Sequence, residues 1–173
     1  LRQMIARGGY EIASADIEAS FLAGSAALKY WKHASSRRSN PTELTHREIV
    51  NEFLAADLAD GPRTLLTAEA TRVLELVSRR SNDHPVRPGI PELLEFCRKH
   101  SIPVGIVSNA HSGTSHRRIL QDHGIADDFA VQVYSDEVGI RKPNPEIIRL
   151  AAEALGLAPS RTWYVGDTQD RDL

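Results

Sequence analysis

A change of pattern along the chain most constrains its fold. Up to about Arg80 the sequence predicts helices and no convincing strand, whereas the remainder alternates short apolar runs with helical stretches. Strand–helix–strand alternation is typical of a parallel sheet with right-handed crossovers and helices packed on its faces. We therefore expect an α/β fold: a Rossmann-like three-layer parallel sheet core, preceded by an all-α helical domain.

The two regions are separated by a stretch that favours turns, Ser81-Asn-Asp-His-Pro-Val-Arg-Pro-Gly89. Two prolines, a glycine and several turn formers within nine residues are typical of a connection between domains. We predict a helical domain over 1–82 and the Rossmann-like core over 83–173, with the core incomplete in this chain.

Four helices are predicted in the first region. The first covers Leu1–Arg7, and the second begins after Ser14 and continues into the thirties. Thr45-His-Arg-Glu48 is a capping box, in which the threonine and glutamate side chains satisfy free backbone donors at a helix start. We expect this third helix to end at Asp60-Gly-Pro62 and Thr67 to cap the fourth.

The second region contains three predicted strands and three predicted helices. The strands are expected at about 103–107, 130–134 and 162–165, and the helices at about 91–100, 115–123 and 145–156. Asn144 is the expected N-cap of the last helix, with Pro145 at its first position.

Composition limits the class of protein. The chain of 173 residues is 41% hydrophobic and 25% charged, with a formal net charge of -2, which is typical of a soluble globular protein. Nothing in the charge pattern indicates a nucleic-acid partner, and no apolar run is long enough to span a bilayer. The single cysteine, Cys97, excludes an intrachain disulfide and fits a reducing compartment. We expect a cytoplasmic protein without a membrane partner, as a monomer or homodimer.

Polar residues follow the first predicted strand at Ser108 and Asn109. The Gly-x-Ser-x-Gly elbow of a serine nucleophile is absent, so Ser108 is better suited to donate a hydrogen bond to an oxyanion. Taken alone, the pair is better explained as a turn that ends a strand.

A lysine precedes two prolines and a helix start in Gly139-Ile-Arg-Lys-Pro-Asn-Pro-Glu146. Proline stiffens this backbone, so Lys142 is held near the sheet edge and is suited to a phosphate. The neighbouring Arg141 is interpreted as a solvated or backbone-neutralising charge and is ranked below Lys142.

The C-terminal stretch Trp163-Tyr-Val-Gly-Asp-Thr-Gln-Asp-Arg-Asp172 brings three carboxylates close together after an apolar run. Ligands bind beyond the carboxyl ends of strands in open α/β sheets. Mutual repulsion among Asp167, Asp170 and Asp172 in a partly dry crevice would be relieved by a hard cation such as Mg²⁺. A solvated acidic turn is the favoured explanation of this stretch when it is considered alone, because short acidic turns are common.

Together these motifs resemble the haloacid dehalogenase superfamily, and most closely its phosphatases with a helical cap. Val107-Ser-Asn109 is similar to the second family motif, Lys142 in Gly-x-x-Lys-Pro-x-Pro to the third, and Gly166-Asp-x-x-x-x-Asp172 to the fourth. The resemblance implies that Ser108 and Asn109 bind phosphate and that Lys142 holds nucleophile and phosphate together. It also implies that Asp167 ligates Mg²⁺, that Asp172 supports the metal site, and that the helical domain is a cap.

The chain departs from the family at the first motif, Asp-x-Asp-x-Thr after an apolar strand. Asp16-Ile-Glu-Ala-Ser20 is superficially similar, but no apolar strand precedes it and its periodicity is helical. We expect the nucleophile upstream of Leu1, on a central strand of the sheet, and we expect residues 1–173 alone to be inactive.

These expectations define a Mg²⁺-dependent phosphatase acting on a small phosphorylated metabolite through a phosphoaspartate. A 2-haloacid dehalogenase shares the serine, lysine and cap, but those enzymes carry Ser-Ser-Asn where this chain has Gly166-Asp167. A phosphomutase and a non-catalytic binding or regulatory protein on the same fold are the remaining alternatives.

Overall fold

A computed structural model gives the structure of the protein over residues 1–80, 84–166 and 172. The chain divides into two compact units. The first consists of Leu1–Arg38 and Leu44–Arg80, and the second of Ser39–Glu43 and Ser81–Leu173. The sequence pattern did not predict that the short segment Ser39–Glu43 groups with the later residues.

The first unit is helical. Its elements are α1 (Arg2–Arg7), α2 (Ser14–Ser35), α3 (His46–Glu48), a π-helical segment (Ile49–Leu54), α4 (Asp60–Ala68) and α5 (Ala70–Arg80). The capping box at the start of α3 is confirmed. The Glu48 amide donates to Thr45 Oγ1 at 3.2 Å, and the Thr45 amide donates to Glu48 Oε2 at 2.8 Å.

The helix α4 corrects two predictions. Asp60-Gly-Pro62 begins a helix, and Thr67 lies inside that helix instead of capping the next one. Proline is compatible with a first helical turn because the amides there have no intrahelical partner. The Arg63 guanidinium also forms an ion pair with Asp60 at 2.6 Å, a contact between residues one helical turn apart. The residues interpreted as a turn, Asp60-Gly-Pro62, are therefore the start of a helix.

One apolar cluster fills the first unit. Ile49, Val50, Leu66, Val73 and Leu74 are all 1% exposed or less, and they are part of a larger set of buried residues from α1 to α5. The helix α2 passes very close to the π-helical segment. A Cβ at Gly24 would lie 2.1 Å from the carbonyl oxygen of Phe53, so only glycine fits there.

The second unit contains helices and a parallel sheet. Its elements are α6 (Ile90–Lys99), β1 (Gly105–Ser108), α7 (Gly113–Asp122), a 3₁₀ turn (Ala126–Asp128), β2 (Val131–Tyr134), α8 (Ser135–Val138), α9 (Glu146–Ala154) and a 3₁₀ turn (Pro159–Arg161). The strands pair in parallel, with Gly105 opposite Val131 and Ser108 opposite Tyr134. A parallel pair joined through a helix is the βαβ unit that the alternating pattern predicts.

The third predicted strand, at 162–165, is not formed. Within the described residues the sheet consists of β1 and β2 alone. A β-branched and aromatic run becomes a strand only when a neighbour supplies the ladder hydrogen bonds, and neither strand pairs with this run. Trp163 and Val165 are consequently 97% and 89% exposed.

The core of the second unit is small. Val133, Ile147 and Ala151 are buried between β2 and α9, with four further apolar side chains packed against them. The helix α9 begins one residue later than predicted, and Asn144 Oδ1 accepts the Glu146 amide at 3.0 Å as expected of its cap. No helix of the described part of the chain is both long enough and apolar enough to cross a membrane.

Candidate active site

The loop after β1 is joined to the lysine turn by one asparagine side chain. Asn109 Oδ1 accepts the backbone amide of Lys142 at 2.8 Å, and Asn109 Nδ2 donates to the carbonyl of Lys142 at 3.1 Å. Two bonds to one residue fix its position and its orientation. Ser108 is the last residue of β1, and its neighbour Asn109 is therefore hydrogen-bonded to the backbone of Lys142.

The ammonium of Lys142 lies in a small polar cluster. Its Nζ donates to Asp172 Oδ1 and to Tyr164 Oη, each at 2.6 Å, and Tyr164 Oη donates to the same Asp172 oxygen at 2.9 Å. Burial acts to lower the pKa of Lys142, but its hydrogen bonds to Asp172 and Tyr164 outweigh burial, and the pKa is raised above its ordinary value. Lys142 is thus a fixed positive charge at neutral pH.

The predicted metal ligands are only partly within the described residues. Asp167 and Asp170 lie outside them, whereas Asp172 lies beside Lys142. A Cβ at Gly166 would lie 2.4 Å from the carboxyl carbon of Asp172, so glycine is required where the backbone passes this carboxylate. Among the described residues no three His, Cys, Asp or Glu side chains form a cluster that could hold a metal. The Asp172 carboxylate is a hard oxygen donor of the kind that Mg²⁺ prefers, and the other oxygen ligands of such an ion would have to come from outside the described residues.

Arg141 is not the solvated charge that its sequence context suggested. It is fully buried, and its Nε lies 3.7 Å from Oε2 of Glu43, whose side chain is 1% exposed. A buried guanidinium needs a carboxylate partner because desolvation of an isolated charge is costly. The partner is almost a hundred residues away in sequence, which is why the local pattern did not reveal the pair.

An aromatic residue lies opposite Ser108 in the sheet. Tyr134 is buried, His116 stacks on its ring at 5.4 Å between centroids, and the guanidinium of Arg117 lies 4.8 Å from the ring centre. Burial raises the pKa of Tyr134 to about 12, although the positive charge of Arg117 acts to lower it. Tyr134 therefore remains a neutral phenol throughout the physiological range.

Three polar residues near the predicted site were missed by the sequence reasoning. Tyr164 contacts both Lys142 and Asp172, but its place in an apolar run indicated a buried strand residue. Glu43 and Ser135 are joined by a hydrogen bond of 2.7 Å, and no local motif marks either of them. Only Tyr164 carried a usable signal, because it lies two residues before the predicted fourth motif.

Residues 4–173 match the haloacid dehalogenase-like hydrolase family. The chain belongs to this family. The resemblance predicted from Ser108, Lys142 and the Gly166-Asp-x-x-x-x-Asp172 stretch is thereby confirmed at the level of the family.

Relatives within the haloacid dehalogenase-like family include several phosphatases. The chain is 28% identical over 104 residues to a phosphoserine phosphatase of Thermus thermophilus, an alignment that covers 60% of this chain and 41% of that protein. It is 38% identical over 143 residues to the pyrimidine 5'-nucleotidase YjjG of Escherichia coli, covering 73% of this chain and 62% of that protein. In each comparison the chain spans less than two thirds of the length of the relative.

A solved structure gives independent support for the fold. The crystal structure of a HAD phosphatase from Thermococcus onnurineus superposes with a TM-score of 0.51 and 24% sequence identity, covering 73% of this chain and 69% of that one. This likeness concerns the fold alone. The predicted α/β class, a parallel sheet with helices and an additional helical region, is confirmed.

Proposed function

We propose that the full-length protein is a Mg²⁺-dependent phosphatase that hydrolyses a small phosphomonoester through a phosphoaspartate intermediate. The observation that carries the proposal is the attachment of Asn109 to the backbone of Lys142, which joins the loop after β1 to a fixed ammonium. Membership of a hydrolase family with phosphatase relatives supports the same reaction.

The chain's own residues would bind and orient the transferring phosphoryl group. The Ser108 hydroxyl would donate a hydrogen bond to a phosphoryl oxygen, and Asn109 would hold Lys142 in place through its hydrogen bonds to the lysine backbone. Lys142 would neutralise negative charge on the phosphoryl oxygens while the phosphoryl group passes from the ester oxygen to the nucleophile. Electrostatic stabilisation of this kind is usually a large contribution in phosphoryl transfer. Tyr164 and Asp172 would orient the ammonium, since both hydrogen-bond to it.

Two carboxylates are proposed to hold the metal, Asp167 as a direct ligand and Asp172 in support. Bound Mg²⁺ would neutralise negative charge on the phosphoryl group. The reaction also requires an aspartate nucleophile. No Asp-x-Asp-x-Thr motif directly follows an apolar run in the sequence, so this residue is proposed to lie outside the chain.

The helical region is proposed to be a cap domain that limits access to small substrates. The partner is a small phosphorylated metabolite, and neither nucleic acid nor membrane is required. We place the protein in the cytoplasm, as a monomer or a homodimer, in keeping with its single cysteine and balanced charge.

A phosphate-release assay of the full-length protein tests the proposal. The panel should contain the substrates named by the relatives, phosphoserine and pyrimidine 5'-nucleotides, together with other small phosphate esters and a 2-haloacid. We expect release of phosphate with Mg²⁺ and none after chelation by EDTA. A Lys142→Met variant should lower kcat by about 10²- to 10³-fold, the usual effect of removing one preorganised charge donor.

Each negative result has a distinct meaning. Halide release without phosphate release would identify a dehalogenase, and absence of any turnover would favour a binding protein. Activity that resists EDTA would contradict the metal assignment alone. Lys99→Met serves as the matched control, because Lys99 is an exposed lysine of α6 that pairs with Glu95 on the same helix.

A further inference from the structure

We propose that Glu43 is a positioning residue of the candidate active site, holding the loop that follows Ser108 and the turn that carries Lys142 at a fixed separation. This inference rests on the proposed function for its catalytic meaning. It assigns a role to a buried carboxylate that lies outside the three family motifs.

Backbone hydrogen bonds join the segment that carries Glu43 to the lysine turn. The amide of Glu43 donates to the carbonyl of Gly139 at 2.9 Å, and the amide of Arg141 donates to the carbonyl of Pro41 at 3.3 Å. Thr42 and Ile140 form an antiparallel bridge between these two contacts. The segment therefore runs antiparallel to the turn at one isolated bridge.

The carboxylate of Glu43 reaches the loop after β1 through a serine. Ser135 Oγ donates to Glu43 Oε2 at 2.7 Å and accepts the amide of Ala110 at 2.9 Å. Because a hydroxyl has a single proton, the short contact with a charged oxygen identifies Glu43 as its acceptor. Ala110 follows Ser108 and Asn109 directly, so this hydrogen-bond chain ends two residues from Ser108.

The same carboxylate reaches the lysine turn through an arginine. Arg141 and Glu43 form a buried ion pair, 3.7 Å between Nε and Oε2, and Arg141 directly precedes Lys142. One carboxylate oxygen thus contacts Arg141 of the lysine turn directly and reaches the loop after β1 through Ser135. Together with the bonds from Asn109 to Lys142, this makes a closed ring of contacts around the site.

A buried ion pair can stabilise the fold without positioning any group of the active site. The test must therefore separate these two roles. Glu43→Met combined with Arg141→Met removes both charges together, which avoids leaving one of them buried without a partner. Ser135→Ala removes only the connection to Ala110 and retains the ion pair. Glu95→Gln is the control, because it removes a carboxylate charge from an ion pair, that with Lys99, which is exposed and lies in α6.

Two measurements are made on each full-length variant. The first is the hydrogen exchange of the Ala110 and Lys142 amides, which donate to Ser135 Oγ and Asn109 Oδ1. The second is kcat and KM for phosphate release. We expect the double variant to exchange both amides at least about 10-fold faster while amides in α5 are unchanged. Since an error of about 1 Å in placement can cost about 10²-fold in rate, kcat should fall about 10- to 100-fold with KM within about 3-fold.

For Ser135→Ala we expect faster exchange at Ala110 and a smaller loss of kcat, and for Glu95→Gln no change. Unchanged exchange in both site variants would overturn the proposal, whatever the activity. Faster exchange with unchanged kcat would overturn it as well, because the pair would then serve folding alone. A wild-type protein without turnover would contradict the proposed function, and exchange would still decide whether Glu43 holds the two loops.

Discussion

The two units of the chain use their buried positions differently. In the first unit the fully buried side chains are almost all apolar and form one cluster contributed by five helices. In the second unit the apolar cluster is small, and the largest fully buried side chain is Arg141, accompanied by Ser112, Ser115 and Ser135. Apolar burial stabilises a fold without specifying direction, whereas buried hydrogen bonds and ion pairs fix the relative positions of particular groups. Burial in the first unit therefore mainly stabilises the fold, whereas burial in the second unit also fixes the relative positions of particular polar groups.

The largest loss of stability is expected from a cavity in the apolar cluster of the first unit. Leu74 in α5 is 1% exposed and lies in the apolar cluster, so Leu74→Ala should lower the free energy of unfolding by about 2–5 kcal/mol. Trp31 packs against this cluster, while Trp163 is almost fully exposed already. The change in tryptophan fluorescence during urea unfolding consequently reports on the first unit.

Leu22→Ala provides the matched control, since Leu22 lies in α2 with 66% of its surface exposed. Its free energy of unfolding should stay within about 0.5 kcal/mol of the wild-type value. A loss below about 1 kcal/mol for Leu74→Ala would mean that the first unit is not held together by its apolar cluster.

An intermediate effect is expected from a buried polar group of the second unit. Burial raises the pKa of Tyr134 from 10.0 to about 12, so the folded protein retains this proton where the unfolded chain has lost it. The associated stability is fully present below pH 10 and is lost as the pH rises through about 12. The difference in tyrosinate absorbance between wild-type protein and Tyr134→Phe should have its midpoint near pH 12. A midpoint near 10 would show that Tyr134 is hydrated and that this part of the second unit is not tightly packed.

Much of the fold follows from local sequence. Both strands of the sheet begin within two residues of their predicted positions, because a short branched run between turns has few alternatives. The capping box at Thr45 was equally readable, since all of its interactions lie within one helical turn. Such features depend on neighbours along the chain.

Features that depend on distant partners could not be read in this way. The ion pair of Glu43 with Arg141 joins two segments that no periodicity connects, and Arg141 looked like a surface charge. The run at 162–165 has the composition of a strand but finds no ladder partner among the described residues. The helix start at Asp60 was mistaken for a stop, because Asp-Gly-Pro is compatible with both.

The smallest effect tests whether local hydrogen bonds contribute in the apolar first unit as well. Thr45→Ala removes the side-chain acceptor of the capping box and should cost about 1 kcal/mol in unfolding free energy, whereas Thr45→Ser should retain most of it. The hydrogen bond from the Thr45 side chain, followed by that from its backbone amide, lowers the pKa of Glu48 below its ordinary 4.5. A carboxyl group with a lowered pKa stabilises the fold above its unfolded pKa, and this contribution is lost as the pH falls through the folded pKa. The difference between wild type and Thr45→Ala, followed by the fluorescence of Trp31, should therefore be constant near neutrality and shrink below about pH 4.5. A difference that persists unchanged in acid would assign the effect to the hydrogen bond from the Glu48 amide to Thr45 Oγ1, which does not depend on pH, and the Glu48 carboxylate would then add little to the capping box.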